Sequence, residues 1–117
     1  MSNELGLRLD VKYNRIYIHQ ATLKAIGNPA FVALGIHPQS RKLVVLPSVA
    51  DASDSIRVRY AEDSPCCIHS KPLLDGIRTM VPRLDRARSY LLWGKLLAGQ
   101  PAVSFDMNKA ETIEEAE

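Results

Sequence analysis

Cysteine is nearly missing from this chain of 117 residues, and the only two stand side by side as Cys66 and Cys67. Adjacent thiols build no disulfide framework of the kind that staples small secreted domains. They also lack the C-x-x-C spacing of zinc and redox motifs. The run Cys66-Cys67-Ile68-His69 offers soft metal ligands on one reading and ordinary thiols in a loop or at a strand end on the other. The second is favoured, and no metal or cofactor is expected. Long hydrophobic runs are missing too, since no apolar stretch approaches the roughly 20 residues that cross a bilayer. Met1-Ser2-Asn3-Glu4 lacks the basic and apolar regions of a signal peptide, so a cytoplasmic protein with no membrane partner is expected. Aromatic residues make up only 6% of the chain, which disfavours a stacking platform built from Tyr90 and Trp93 with Arg86 and Arg88. His19, His37 and His69 lie in three separate segments, and no nucleophile elbow, phosphate-binding loop, dinucleotide fingerprint or zinc-protease motif is present. No enzyme is expected.

What is present is the composition of one globular domain, 46% hydrophobic and 24% charged. A chain of this size buries roughly two-thirds of the surface its unfolded form exposes, enough for a modest core. The net charge of +2 conceals an uneven distribution. Four of the thirteen acidic residues, Glu111, Glu114, Glu115 and Glu117, fall in the last seven positions, leaving 15 basic against 9 acidic side chains and +6 on residues 1–109. Such a body suits a polyanionic partner, because each neutralised phosphate releases condensed counterions. It equally suits a solubilising surface.

Residues 5–13 alternate, with Leu5, Leu7, Leu9, Val11 and Tyr13 on one face and Arg8, Asp10 and Lys12 on the other, the pattern of a half-buried strand. A tight turn near Asn14 leads to a second short strand, Ile16-Tyr17-Ile18. Leu23 and Ile26, then Gly27 and Pro29, describe one or two turns of helix ended by glycine. The apolar runs 31–36 and 42–46 read as a hairpin, and 55–60 alternates so that Arg57 and Arg59 point out together. Ser70 and Pro72 start a helix whose stripe is Leu73, Leu74, Ile77, Met80 and Val81. Residues 89–97 and 102–106 form a second hairpin, and Asn108–Glu117 is at most a short helix or a disordered tail.

One part of this order is compact and unusual. Arg15-Ile16-Tyr17-Ile18-His19-Gln20-Ala21-Thr22-Leu23-Lys24-Ala25-Ile26-Gly27, followed by Phe31-Val32-Ala33-Leu34 and Lys42-Leu43-Val44-Val45-Leu46-Pro47, resembles the AbrB/SpoVT/MazE swapped-hairpin DNA-binding domain. The family opens its helix with Ile-Pro and follows it with Gly-Asp, where this chain has Ile18-His19 and Gly27-Asn28-Pro29-Ala30. The resemblance implies a small β-rich, swapped-hairpin-like sheet with a short helix; the half from Ser55 onward carries no such resemblance, and its residue pattern adds a C-terminal helix and β-hairpin, for an α+β fold overall. The expected organisation is a single domain over 1–106, AbrB-like to residue 60 and helix plus hairpin from 61, with an acidic tail at 107–117. The resemblance also implies a homodimer that binds DNA as a transcriptional regulator, antitoxin or mobile-element accessory factor. The positions matching the family's DNA-facing basic residues are Lys12 and Arg15, then Arg8, with Arg41 and Lys42 beyond them. Arg57 and Arg59 extend the candidate set, and with Arg83, Arg86 and Arg88 they suit a nucleic-acid surface and an acidic protein partner equally. The alternative function is a protein-binding module or phage-type inhibitor on the same scaffold, with a protein partner held by the C-terminal half.

Overall fold

Leu7 and Leu9, buried on alternate positions, make β1 (Leu5–Asp10) a strand with one face in the core. The computed structural model describes residues 5–53, 55–58, 66–85 and 87–113. After Asp10 the chain takes a single 3-10 turn, Val11–Tyr13, closed by Asn14 in the left-handed region (φ 54°), and returns as the antiparallel strand β2 (Arg15–Ile18). Helix α1 (Gln20–Ala25) is anchored to β1 at one atom, the Gly6 carbonyl, which accepts from the Thr22 hydroxyl at 2.8 Å and from the His19 amide at 3.1 Å. The hairpin β3 (Phe31–His37) and β4 (Lys42–Pro47) follows, with the two-residue strand β5 (Ile56–Arg57) on the outer edge of β3.

Strand β6 (Cys66–His69) pairs with β2, and helix α2 (Lys71–Met80) begins where Ser70 and Pro72 place it. The Ser70 hydroxyl accepts the Leu73 amide at 3.3 Å, satisfying a backbone donor at the helix start. Leu74 and Ile77 turn its apolar stripe into the core. Strands β7 (Ser89–Leu96) and β8 (Val103–Asp106) form the second hairpin. A 3-10 turn at Met107–Lys109 then leads to β9 (Glu111–Ile113), which continues along the N-terminal half of β7.

All pairings are antiparallel, and the strand order is β5-β3-β4-β8-β7-β1-β2-β6. This corrects the expected fold class. The described residues are 44% strand and 22% helical and form a mostly β, nearly closed, barrel-like sheet, not an α+β arrangement. The physical reason is the position of the β7–β8 hairpin. It lies between the two N-terminal hairpins, pairing β1 through six positions and β4 through four, so edges that a swapped hairpin would cover with a second chain are covered by this one. The expected C-terminal helix is corrected as well: α2 lies mid-chain with three strands after it, and no helix closes the C-terminal end of the described residues. The acidic tail is structured as far as Ile113, and residues 114–117 lie outside the described residues.

The core fills the concave side of this sheet with Leu7, Leu9, Ile16, Ile18, Leu43, Val45, Ile68, Leu92, Val103 and Phe105. Burying each such side chain stabilises the fold by roughly 1.5–3 kcal/mol. Packing is close at Gly94, where a Cβ would lie 2.7 Å from both Phe105 Cε1 and Val103 Cγ1. Gly94→Ala should therefore cost about 1–3 kcal/mol in urea unfolding through overpacking. Gly35→Ala on β3, where a Cβ meets nothing within 4 Å, should stay within about 0.5 kcal/mol of wild type. Equal costs for the two would contradict the close approach of β8 to β7.

Candidate nucleic-acid interface

Alternation that sends Leu7, Leu9, Ile16 and Ile18 inward sends Arg8, Arg15 and Tyr17 outward. Register then places them in two rows across β6, β2, β1 and β7. One row runs His69, Arg15, Asp10, Ser89, and the other Cys67, Tyr17, Arg8, Leu91. The turn after β1 adds Lys12 and Tyr13, which the strand pattern had placed on opposite faces of a longer strand. Because β1 ends at Asp10, Tyr13 leaves the core and is 53% exposed.

The cations rest on the aromatic rings. Arg8 lies 5.8 Å from the Tyr17 centroid, and Lys12 and Arg15 lie 5.4 and 5.5 Å from the Tyr13 centroid. Each such contact is worth about 0.5–1 kcal/mol at an exposed site. Arg15 also donates from Nε to His69 Nε2 at 2.7 Å and from Nη1 to the Tyr17 hydroxyl at 3.4 Å. The hydrogen bond to Tyr17 raises the Arg15 pKa above its ordinary value, so the guanidinium stays charged. Among the described residues neither Lys12 nor Arg15 forms an ion pair. Beyond Lys12 a cleft of about 180 Å³ leads to Lys71 and Arg78 on α2, with Lys71 held to Asp75 at 2.7 Å.

Arg8, Lys12 and Arg15 are thus brought together, while the remaining expected residues stand elsewhere. Arg41 (φ 53°) sits in the β3–β4 turn, donates to the Asn108 side chain at 3.4 Å and accepts the Met107 amide at 2.9 Å, which ties it to the turn before β9. Lys42 stands opposite Asp106 on the far side of β7 and β8. Arg57 is exposed on β5, at the other end of the strand order from β6, and Arg59 and Arg86 lie outside the described residues. In the Cys66–His69 run, strand alternation buries Cys66 and exposes Cys67 and His69, so the two thiols face opposite sides of β6. Among the described residues no three His, Cys, Asp or Glu side chains are grouped to hold a metal ion, and no helix is long and apolar enough to cross a membrane.

Sequence alone reads Tyr13 and Tyr17 only as strand residues, His69 only as a metal-ligand option beside Cys66 and Cys67, and His19 only as one of three scattered histidines. The signal for Tyr17 was its place one strand across from Arg8, visible once the hairpin register is known. His19 has a stricter setting. Its ring fills the space above Gly6, where any Cβ would collide with it, and meets Trp93 edge-on with centroids 6.2 Å apart and planes at 76°. Burial, and then the nearby Arg8 charge, lower its pKa from the ordinary value.

Compared with known proteins, the chain matches no family model, no curated protein and no solved structure.

The His19 setting has a pH consequence. The unfolded imidazole takes up a proton near pH 6.5 that the folded one resists, so the unfolded state binds more protons just below that pH and stability falls with acidification. The urea midpoint should drop as pH is lowered from about 8 to about 5. His19→Gln should flatten that slope, and an unchanged slope in the variant would remove His19 as its source.

Proposed function

We propose that the protein binds DNA through the surface of Arg8, Lys12 and Arg15 and acts as a regulatory protein: a transcriptional regulator, antitoxin or mobile-element accessory factor. The observation that carries this reading is the seating of three cations on two tyrosine rings. A long basic side chain carries about 2 kcal/mol of rotamer entropy that a phosphate contact must otherwise overcome. Held against Tyr13 and Tyr17, these side chains are ordered before any partner arrives, and Lys12 and Arg15 form no ion pair among the described residues. The guanidinium fork of Arg8 or Arg15 matches a phosphate in bidentate fashion and also the O6 and N7 edge of guanine. The AbrB-like stretch points to the same residues, Lys12 and Arg15 first.

The reading includes a homodimer. Three cations on one chain meet few phosphates, and two-fold pairing doubles the contacts and suits the symmetry of duplex sites. A second reading, a protein-binding module or phage-type inhibitor, is favoured by the exposed apolar side chains Leu46, Val49 and Leu96. The two differ in salt response, since phosphate contacts lose affinity steeply with added salt.

In a mobility-shift assay at low salt, the wild-type protein should shift duplex DNA. The Lys12→Ala, Arg15→Ala double variant should bind more weakly across all sequences, with the salt slope reduced by about 4, two cations being lost from each protomer of the dimer. Absence of any wild-type shift at low salt sinks the DNA reading. Light scattering checks the dimer separately: a mass of 13.0 kDa at working concentration contradicts it.

A further inference from the structure

Trp93 is the chain's only tryptophan, yet it is left 45% exposed on β7. Its partner across β1 is Gly6, so β1 contributes no side chain to cover it, and His19 supports the indole from that flank. On the other flank the sheet opens into a groove of about 490 Å³ lined by Trp93 together with Lys42, Lys95, Lys109, Ser104 and Asp106. These come from four places: Lys42 from β4, Lys95 from β7, Ser104 and Asp106 from β8, and Lys109 from the turn after it. The single carboxylate, Asp106, already accepts the Asn108 amide at 3.0 Å. Among the described residues none of the three lysines forms an ion pair.

Isolated exposed apolar residues are ordinary on protein surfaces. A tryptophan braced on one side and flanked on the other by three lysines against one carboxylate is a different object. Its π-face attracts flat rings or cations, and the lysines exclude a cationic ligand and favour an anionic one. The two requirements meet in a nucleobase that carries phosphate.

We propose that this groove binds an unpaired nucleotide, with the base stacked on Trp93 and phosphates held by Lys42, Lys95 and Lys109. A base paired within a duplex keeps its faces stacked on its neighbours, so the site selects an unpaired one. The nucleotide is supplied either by a single strand or as a free mononucleotide, and the chemistry at the indole is the same. The residues that form it are distinct from Arg8, Lys12 and Arg15.

Because Trp93 is the sole tryptophan, its intrinsic emission reports the stacking directly. The full chain is titrated at low salt with a short oligothymidylate, with thymidine monophosphate, with a duplex of matched sequence and with inorganic polyphosphate. The oligothymidylate or the monophosphate should quench the emission saturably, and the duplex and polyphosphate should not. Quenching by the strand alone identifies single-stranded nucleic acid as the source, and equal quenching by the monophosphate identifies the free nucleotide. Anisotropy of a labelled oligothymidylate, or displacement of the better ligand, should show roughly tenfold weaker binding for Trp93→Ala and near-normal binding for Trp93→Phe. Lys42→Ala with Lys95→Ala should weaken binding to a similar degree and reduce its salt dependence. The Lys12→Ala, Arg15→Ala variant should quench as wild type does, so a failed duplex shift with intact quenching overturns only the duplex reading. No quenching by either nucleotide ligand, or equal quenching by polyphosphate or duplex, overturns the groove proposal.

Discussion

The close approach of β8 to β7 at Gly94 is the constraint on which the sheet depends. Phe105 and Val103 occupy the space where a side chain at residue 94 would stand, and that seating lets β8 bond β7 on one edge and β4 on the other. Without it the sheet would part into two pieces, β6-β2-β1-β7 and β8-β4-β3-β5, each with a new open edge and half a core. Exposed edges of that kind invite pairing with other chains. Here the joining strands come from the opposite end of the sequence, with Leu5 set against Gly94. Contacts so distant in sequence favour slow folding, because chain entropy is lost before they form.

This arrangement also explains which parts of the structure were legible in the sequence. Local signals read well. Ser70 and Pro72 mark the start of α2, Asn14 adopts the left-handed turn conformation, and residues 31–47 form their hairpin, because each is decided within a few residues. Partner choice is not local, so residues 89–106 read as an appended hairpin although they form the centre of the sheet. Two glycines inside strand patterns, Gly6 and Gly94, carried the missing information, since a strand glycine often marks close approach by another group. The alternation through Tyr13 misled for a related reason. Val11 is buried from a 3-10 turn as it would be from a strand, so the pattern outlasts β1 by a residue before failing at exposed Tyr13.

The same distinction separates the basic residues. Arg8, Lys12 and Arg15 lie within one hairpin, so strand alternation and a short turn bring them together without help from the remainder of the chain. Arg41, carried into the candidate set by the family resemblance, donates to Asn108, a residue from the far end of the sequence that no local pattern sets beside it. Tyr13 and Tyr17 passed unnoticed because an aromatic in an alternating strand is ordinarily assigned to the core. Their outward placement converts loose surface cations into ordered ones.

Register joins the core to both candidate surfaces. On β1, Leu7 and Leu9 face inward while Gly6 and Arg8 face outward, and β7 answers with Leu92 inward and Leu91 and Trp93 outward. Arg8 is opposite Leu91 and Gly6 opposite Trp93, so the two surfaces lie about 7 Å apart along the strands. A slip of one residue in β1 would turn Arg8 into the core and Leu7 into water. It would also remove the bare α-carbon that receives His19, and with it the flank that braces Trp93. The energy that holds the apolar face in register therefore also orients the cations and the indole. The outer face is in this way positioned by the hydrophobic core, with few bonds of its own needed to hold it.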